Sequence, residues 1–396
     1  MICGEKMKAR IIVQCKVKID NEYWFAAGNT NGLFKKKLSK EEVEFIDFFP
    51  GEEITLFRAY TDAQFIDNKI IFTPGYAKKV AVYDVSEKKF LDIDMPIVEK
   101  IANKYLKSVQ YNNCVYFIPF LASAFMKYNV YQNRIEVLES WNAIRDRYIN
   151  QDTNSSIITE ICFNKKYLFM FLNNQNKVII LDMDLDQFII RELGGLNNEN
   201  ICSVCEYNGS IWMVTDKCKI YKWDYVADKI KQVFMFNDYV DYPVKEAICS
   251  CATEKKIYIR NEYCTEIVVF DHISNTAIVV DTSPYLSPKS DNLCSLYIFF
   301  DMQRIGIDKI QLYSFYDGKY LIVDGNKILD SYSGFFVPKR YFNECFFHGI
   351  ITEDQLMSMG LGIKDINILL QNIDRKGKRY IGNIGTAIYR SIIENY

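Results

Sequence analysis

The chain has 396 residues, 49% of them hydrophobic and 25% charged, enough to bury a sizeable core in one large domain or in two to three ordinary ones. A formal net charge of -2 gives no global attraction to nucleic acid or to an anionic membrane surface. No apolar run approaches the ~18–20 residues of a membrane-crossing helix.

The N-terminal segment Met1–Gln14 reads MICGEKMKARIIVQ, with charges throughout and no apolar core of the kind a secretory leader carries. The expected address is the cytoplasm, with the twelve cysteines reduced and mostly buried as small hydrophobes. Aromatic residues make up 15% of the chain, and their bulk suits pleated, half-buried strands.

From Cys15 onward a unit repeats. A short apolar strand follows a polar turn at Tyr23–Ala27, Ile70–Pro74, Val115–Pro119, Tyr167–Phe171, Ile211–Thr215, Ile257–Asn261 and Tyr320–Asp324. The starts lie 44 to 52 residues apart until a last step of 63. The turns before them include Asp20-Asn21-Glu22, Asp67-Asn68-Lys69, Asn112-Asn113, Asn208-Gly209 and Asp317-Gly318. Asn and Gly tolerate the positive φ angles of a two-residue hairpin turn, so each unit is expected to hold a hairpin at the same place.

A second column lies about a dozen residues further on in each unit. There an apolar residue precedes a turn-former, as in Leu38-Ser39, Tyr83-Asp84, Tyr128-Asn129, Leu181-Asp182, Trp223-Asp224 and Phe270-Asp271. Asp at such a place caps the turn by accepting backbone N–H groups just downstream, which needs no catalytic explanation. A fourth strand follows, for example Lys88–Ile93, Gln187–Leu193, Lys229–Phe234 and Ala277–Val280.

Four short strands every ~40–50 residues predict an all-β fold, a β-propeller of about seven four-stranded blades. Six units are plain. The seventh, around Gln311–Tyr332, follows the longer stretch Thr282–Lys309, so six or eight blades also fit the spacing. Either Gly334–Val337 or Met1–Lys8 could supply the last outer strand. The unit Ser203–Phe234, with Asn208-Gly209, its aromatic-rich second strand and its Trp223-Asp224 ending, resembles the Kelch and WD40 classes of propeller repeat. The Kelch Gly-Gly doublet is replaced by Ala26-Ala27, Thr73-Pro74 or Val214-Thr215, and the WD40 Gly-His element is absent. The resemblance covers Cys15–Tyr332 and implies an architecture, not a subfamily.

After Pro338 the pattern changes. The capping box Thr352-Glu353-Asp354-Gln355 predicts a helix start, and Leu356, Met359, Ile363, Ile366, Leu369, Leu370 and Ile373 recur at helical spacing. The expected organisation is a propeller over 1–337 and a helical appendage over 338–396, which packs on the propeller, docks a partner or dimerises. The basic run Arg375–Arg379 reads as a solvated loop rather than a nucleic-acid footprint.

Cys202-x-x-Cys205 and Cys249-x-Cys251 have the look of zinc-ligand pairs. Cys205 and Cys251, however, each stand six residues ahead of a strand, at Ile211 and Ile257, which makes them equivalent packing positions on inner strands. With only His272 and His348 in the chain, no metal, cofactor or catalytic residue is assigned.

Binding remains. On a propeller the loops from second to third strand, and from fourth strand to the next blade, gather on one face. Here they include Asn29–Gly32, Gly75–Lys78, Trp141–Ser156 and Asn237–Tyr242, and this face offers Arg58, Tyr76, Trp141, Arg145, Arg147, Asp238, Tyr239 and Asp241 to a partner. The expectation is a non-enzymatic scaffold that binds another protein. The alternative is a carbohydrate-binding or carbohydrate-processing propeller, which needs aromatic platforms and paired carboxylates at the channel mouth.

Overall fold

A computed structural model describes residues 8–10, 13–28, 30–37, 43–53, 56, 58–96, 104–148, 158–172, 175–196, 199–242, 248–286, 299–314, 319–332 and 336–338. The helical tail expected from Thr352 and the basic run Arg375–Arg379 lie outside them. Seven four-stranded antiparallel sheets, each built from consecutive strands, are the blades of a β-propeller. They span 13–47, 60–91, 105–137, 158–192, 201–235, 248–281 and 299–332, and are numbered 1 to 7 in that order. The chain divides into two compact units, Met1–Ala59 with Phe335–Tyr396, and Tyr60–Gly334.

The first unit holds blade 1, with strands Val13–Ile19, Glu22–Ala27, Leu33–Lys37 and Glu44–Asp47. Its second-to-third loop is pinned by buried Asn31. That side chain donates to the Phe49 and Glu52 carbonyls, both at 3.1 Å, and accepts the Phe49 N–H at 3.2 Å. Lys8–Arg10 pairs antiparallel with Phe336–Pro338 in a separate two-stranded sheet. This corrects the expectation that one of these segments completes a blade. Every blade already owns four consecutive strands, so the two segments join each other instead.

The second unit holds blades 2 to 7. Their second strands are buried from the second residue on, as at Ile70–Phe72 and Leu168–Phe171. The first hairpins turn as read from the sequence: φ is 49° and 59° at Asp67 and Asn68, and 50° and 75° at Asn208 and Gly209. The capping column is also as expected. Asp84, Asn129, Asp224 and Asp271 each accept backbone N–H groups two and three residues on, at 2.9–3.2 Å. The residue four places on then takes the left-handed conformation, at Lys88, Asn133, Asp228 and Asn275.

The core of this unit is a series of layers between neighbouring blades. One face of a second strand packs forward and the other backward: Ile257 and Ile259 join the layer with blade 5, whereas Tyr258 joins the layer with blade 7. The alternation follows from the two-residue period of a strand buried on both faces. Each fully buried Ile, Leu or Phe in these layers contributes about 1.5–3 kcal/mol relative to its exposed state.

Two sequence expectations are corrected here. Blade 7 is complete, which settles the number at seven, but its register differs. Tyr320–Asp324 is the third strand, paired on both sides, and the second strand is Lys309–Ser314. The long stretch Thr282–Lys309 contains the inner strand Phe299–Arg304. Trp141, read as a loop residue, stands on a helix, Ser140–Tyr148, and is only 1% exposed, packed between Phe125 and Phe188 at ring distances of 5.5 and 5.4 Å.

Candidate functional site

The inner strands of the second unit are Tyr60–Ile66, Tyr105–Tyr111, Ile158–Asn164, Ile201–Tyr207, Ile248–Ala252 and Phe299–Arg304. Five of them slip register near their start, between Tyr60/Asp62, Tyr105/Lys107, Ile158/Glu160, Ile201/Ser203 and Phe299/Asp301. A bulge re-aims the side chain that follows it. The residues that follow are Asp62, Lys107, Glu160, Ser203 and Asp301, each opposite the fifth residue of its second strand. Cys249 holds the same position in blade 6, opposite Arg260. One level of the inner strands thus carries three carboxylates, one ammonium, a hydroxyl and a thiol.

These side chains tie each inner strand to the next. Asp62 accepts the Ser108 N–H at 2.9 Å and its hydroxyl at 3.1 Å, while Gln64 donates to the Ser108 carbonyl at 3.0 Å. Ser203 Oγ accepts the Ser250 N–H at 2.8 Å, and Glu160 accepts the N–H of Val204. Neighbouring inner strands belong to different sheets, so such side-chain bonds replace the ladder that a shared sheet would supply.

The electrostatics follow from this placement. Lys107 is exposed to water yet walled by protein; burial pulls its pKa down, but Glu160, Asp62 and Asp301 around it hold it above the ordinary lysine value. Burial lifts the Glu160 carboxyl to about 7, against the pull of Lys107 and of the Val204 N–H. Burial also raises Asp62 despite its bonds to Ser108. Two residues further along, Cys162, Cys205 and Cys251 share a level on three consecutive blades, opposite Phe169, Trp212 and Tyr258. Burial pushes the Cys251 and Cys249 thiols up to about 11, and Cys162 and Cys205 higher still.

The charged level lies near the start of each inner strand, the end at which the loops singled out from the sequence stand. Tyr76 lies in the second-to-third loop of blade 2, 38% exposed. Asp238, Tyr239 and Asp241 lie between blades 5 and 6, all exposed, with Tyr239 against Phe234. Arg145 and Arg147 stand on the helix between blades 3 and 4. Arg147 is exposed, while Arg145 is half-buried and bonds Asp146 and the Ser123 carbonyl at 2.9 and 3.2 Å. Arg58 belongs to the first unit, with φ of 51° and its N–H on the Gly28 carbonyl at 3.0 Å. Trp141 is removed from the set by its burial. The loop residues therefore come from separate connections, one within blade 2 and the others between blades, and the charged level beneath them was missed from the sequence. A polar residue three places into five of the six inner strands was the available signal, hidden by the bulges.

No protein-family model matches the chain, and no curated protein sequence matches it. Solved structures do. A computationally designed protein, Ika8, has a TM-score of 0.55 at 10% identity over 83% of this chain and 88% of that one. PorZ, a surface component of the type-IX secretion system of Porphyromonas gingivalis, has 0.51 at 9% over 83% of this chain and 39% of its own. A streptogramin B lyase has 0.51 at 14% over 82% and 95%. At these identities the likeness is one of fold alone.

Proposed function

We propose that this chain is a non-enzymatic binding scaffold that takes a protein partner on the face built from its second-to-third and inter-blade loops, in the manner of Kelch-like and WD40-like propellers. The carrying observation is the exposure of Tyr76 and Tyr239, with Arg147, Asp238 and Asp241, at the end of the second unit where the charged inner level also lies. Exposed aromatic and Arg side chains are what interaction hot spots use, and the mixture of signs fits a protein surface better than a polyanion. Cys114, Cys162, Cys205, Cys249 and Cys251 are free thiols, which fits the reduced, cytosolic setting assigned to it. Affinity purification of the wild type beside a Tyr76→Ala/Tyr239→Ala variant tests the reading. Loss of a specific partner from the folded variant is expected; an unchanged set of partners overturns it.

The appendage read from the sequence over 338–396 is assigned a docking or self-association role. Removal of 352–396 with no change in partners or oligomeric state overturns that part alone.

A second reading rests on Glu160. A carboxyl poised near neutrality, on one level with Asp62 and Asp301, is the kind of acid and base complement that glycan-processing sites use. Glycan binding or hydrolysis that is lost in Glu160→Gln would favour it over the scaffold.

A further inference from the structure

The outer strand of a propeller blade is a sheet edge, and proteins guard such edges with shortness, bulges, proline or charge. Six of the seven outer strands carry these devices. Glu44–Asp47 has four residues with an acid at each end, and Lys89–Leu91 has three. Arg134–Val137 holds Arg134 and Glu136, and Gln187–Glu192 holds Arg191 and Glu192. Lys229–Met235 and Lys327–Tyr332 hold Lys229, Lys231, Lys327 and Asp330, and each faces a register slip.

Blade 6 is the exception. Its outer strand Thr276–Asp281 reads TAIVVD and pairs without a slip from Asp271↔Thr276 to Glu266↔Asp281. It has no Lys, Arg, Glu or Pro, and its one acid, Asp281, is turned to the Ser283 N–H and hydroxyl at 2.8 and 2.7 Å. Ile278 and Val279 are 42% and 39% exposed and, being consecutive, stand on opposite faces of the sheet. Ile273 before the strand and Tyr285 after it extend the apolar rim. Among the described residues no strand pairs with its outer side.

We propose that this edge pairs with the same edge of a second copy of the chain, Thr276–Asp281 running antiparallel to Thr276–Asp281, so that two blades form one eight-stranded sheet. The backbone is set for it. Thr282 donates its N–H to Thr265 at 3.1 Å, toward the neighbouring strand. By the two-residue period, Thr276, Ile278 and Val280 face inward likewise, which leaves the N–H and C=O of Ala277 and Val279 pointing out.

A two-fold axis at Ile278 then sets Ile278 against the partner's Ile278. Ala277 meets the partner's Val279 in a hydrogen-bonded pair, and Thr276 meets the partner's Val280. No like charges meet, the small Ala277 leaves room for the exposed valine, and β-branched pairs are favourable cross-strand neighbours. Beside Ile278 lies a cavity of about 410 Å³ shared with blade 7, lined by Val269, Thr276, Lys256 and Asp324 among others, over which the partner's Ile278 side chain would lie. A strand-to-strand contact of this length falls below the ~1,200 Å² of stable complexes, so the dimer is weak, with Kd in the micromolar range.

Sedimentation velocity on the full chain from about 1 to 200 µM tests this. The wild type is expected to dimerise with rising concentration, and Val279→Lys to weaken association at least tenfold with unchanged circular dichroism. Ile278→Lys serves as the second variant if the first is not folded. Ile189→Lys places the same charge on the outer strand of blade 4 and should leave the dimer intact. A wild type that stays monomeric overturns the proposal. So does a dimer that Val279→Lys leaves unchanged, that Ile189→Lys weakens equally, or that is lost only when 352–396 is removed. None of these outcomes bears on the loop-face reading, which is tested by Tyr76 and Tyr239.

Discussion

Asp62, on the inner strand of blade 2, accepts the backbone N–H of Ser108 on the inner strand of blade 3 at 2.9 Å. The same oxygen takes the Ser108 hydroxyl at 3.1 Å, so one side chain satisfies two donors across a blade boundary. Removing it strands a part-buried N–H, at a cost of about 1–3 kcal/mol. Asp62→Ala is therefore expected to lower the unfolding free energy measured in urea by that much. Asp62→Asn, which keeps a carbonyl oxygen in place, should cost less than half as much. Equal losses in the two variants would show that the bond is not what holds this boundary.

Glu160 gives a dependence on pH with a definite sign. Its carboxyl titrates at about 7 in the folded chain against 4.5 ordinarily, chiefly because it is buried. Between those values the folded state holds a proton that the unfolded state has lost. The contribution of Glu160 to stability is thus greatest below pH 4.5, falls as pH rises to about 7, and levels beyond. At about 1.4 kcal/mol for each unit of displacement, the full swing is about 3 kcal/mol. Glu160→Gln cannot titrate, so the stability difference between wild type and variant should change across this window and be flat on either side. Unfolding curves at pH 4 to 9 read it directly.

These two residues also mark where the sequence stopped being legible. Turn chemistry is local, so Asp67-Asn68, Asn208-Gly209 and the capping Asp84, Asp224 and Asp271 could be read without knowledge of any neighbour. The charged level could not. The bulges at Thr61, Leu106 and Thr159 break the alternate-residue pattern just before it, and its members align only once strand pairing is known. Blade 7 failed for a related reason. Its second strand has Gln311 in the middle, and its first turn is built on Ile305–Asp308, with no Asn-Gly or Asp-Gly. Asp317-Gly318, one connection later and outside the described residues, imitates the expected turn and drew the register with it.

The thiols on the inner strands should be slow to react. Reactivity depends on the thiolate, and burial holds Cys162 and Cys205 well above the ordinary thiol value, with Cys249 and Cys251 raised to about 11. Iodoacetamide at pH 8 is expected to leave these four largely unmodified in the native chain and to label them fully in denaturant. Site-resolved mass spectrometry distinguishes them. Rapid native labelling of Cys205 would point to a thiolate in the inner level, with a chemical role in place of a packing one.

Trp141 separates packing from binding on the loop face. Its ring fills the space between Phe125 and Phe188, and the indole N–H has no acceptor among the described residues. Trp141→Ala should therefore cost about 3–5 kcal/mol through the cavity it leaves. Trp141→Phe gives up volume but strands no polar group, and about 1–2 kcal/mol is expected. Because the side chain is covered, the folded Phe variant should retain every partner that Tyr239→Ala loses. A Trp141→Phe chain of wild-type stability that had lost its partner would return Trp141 to the binding surface.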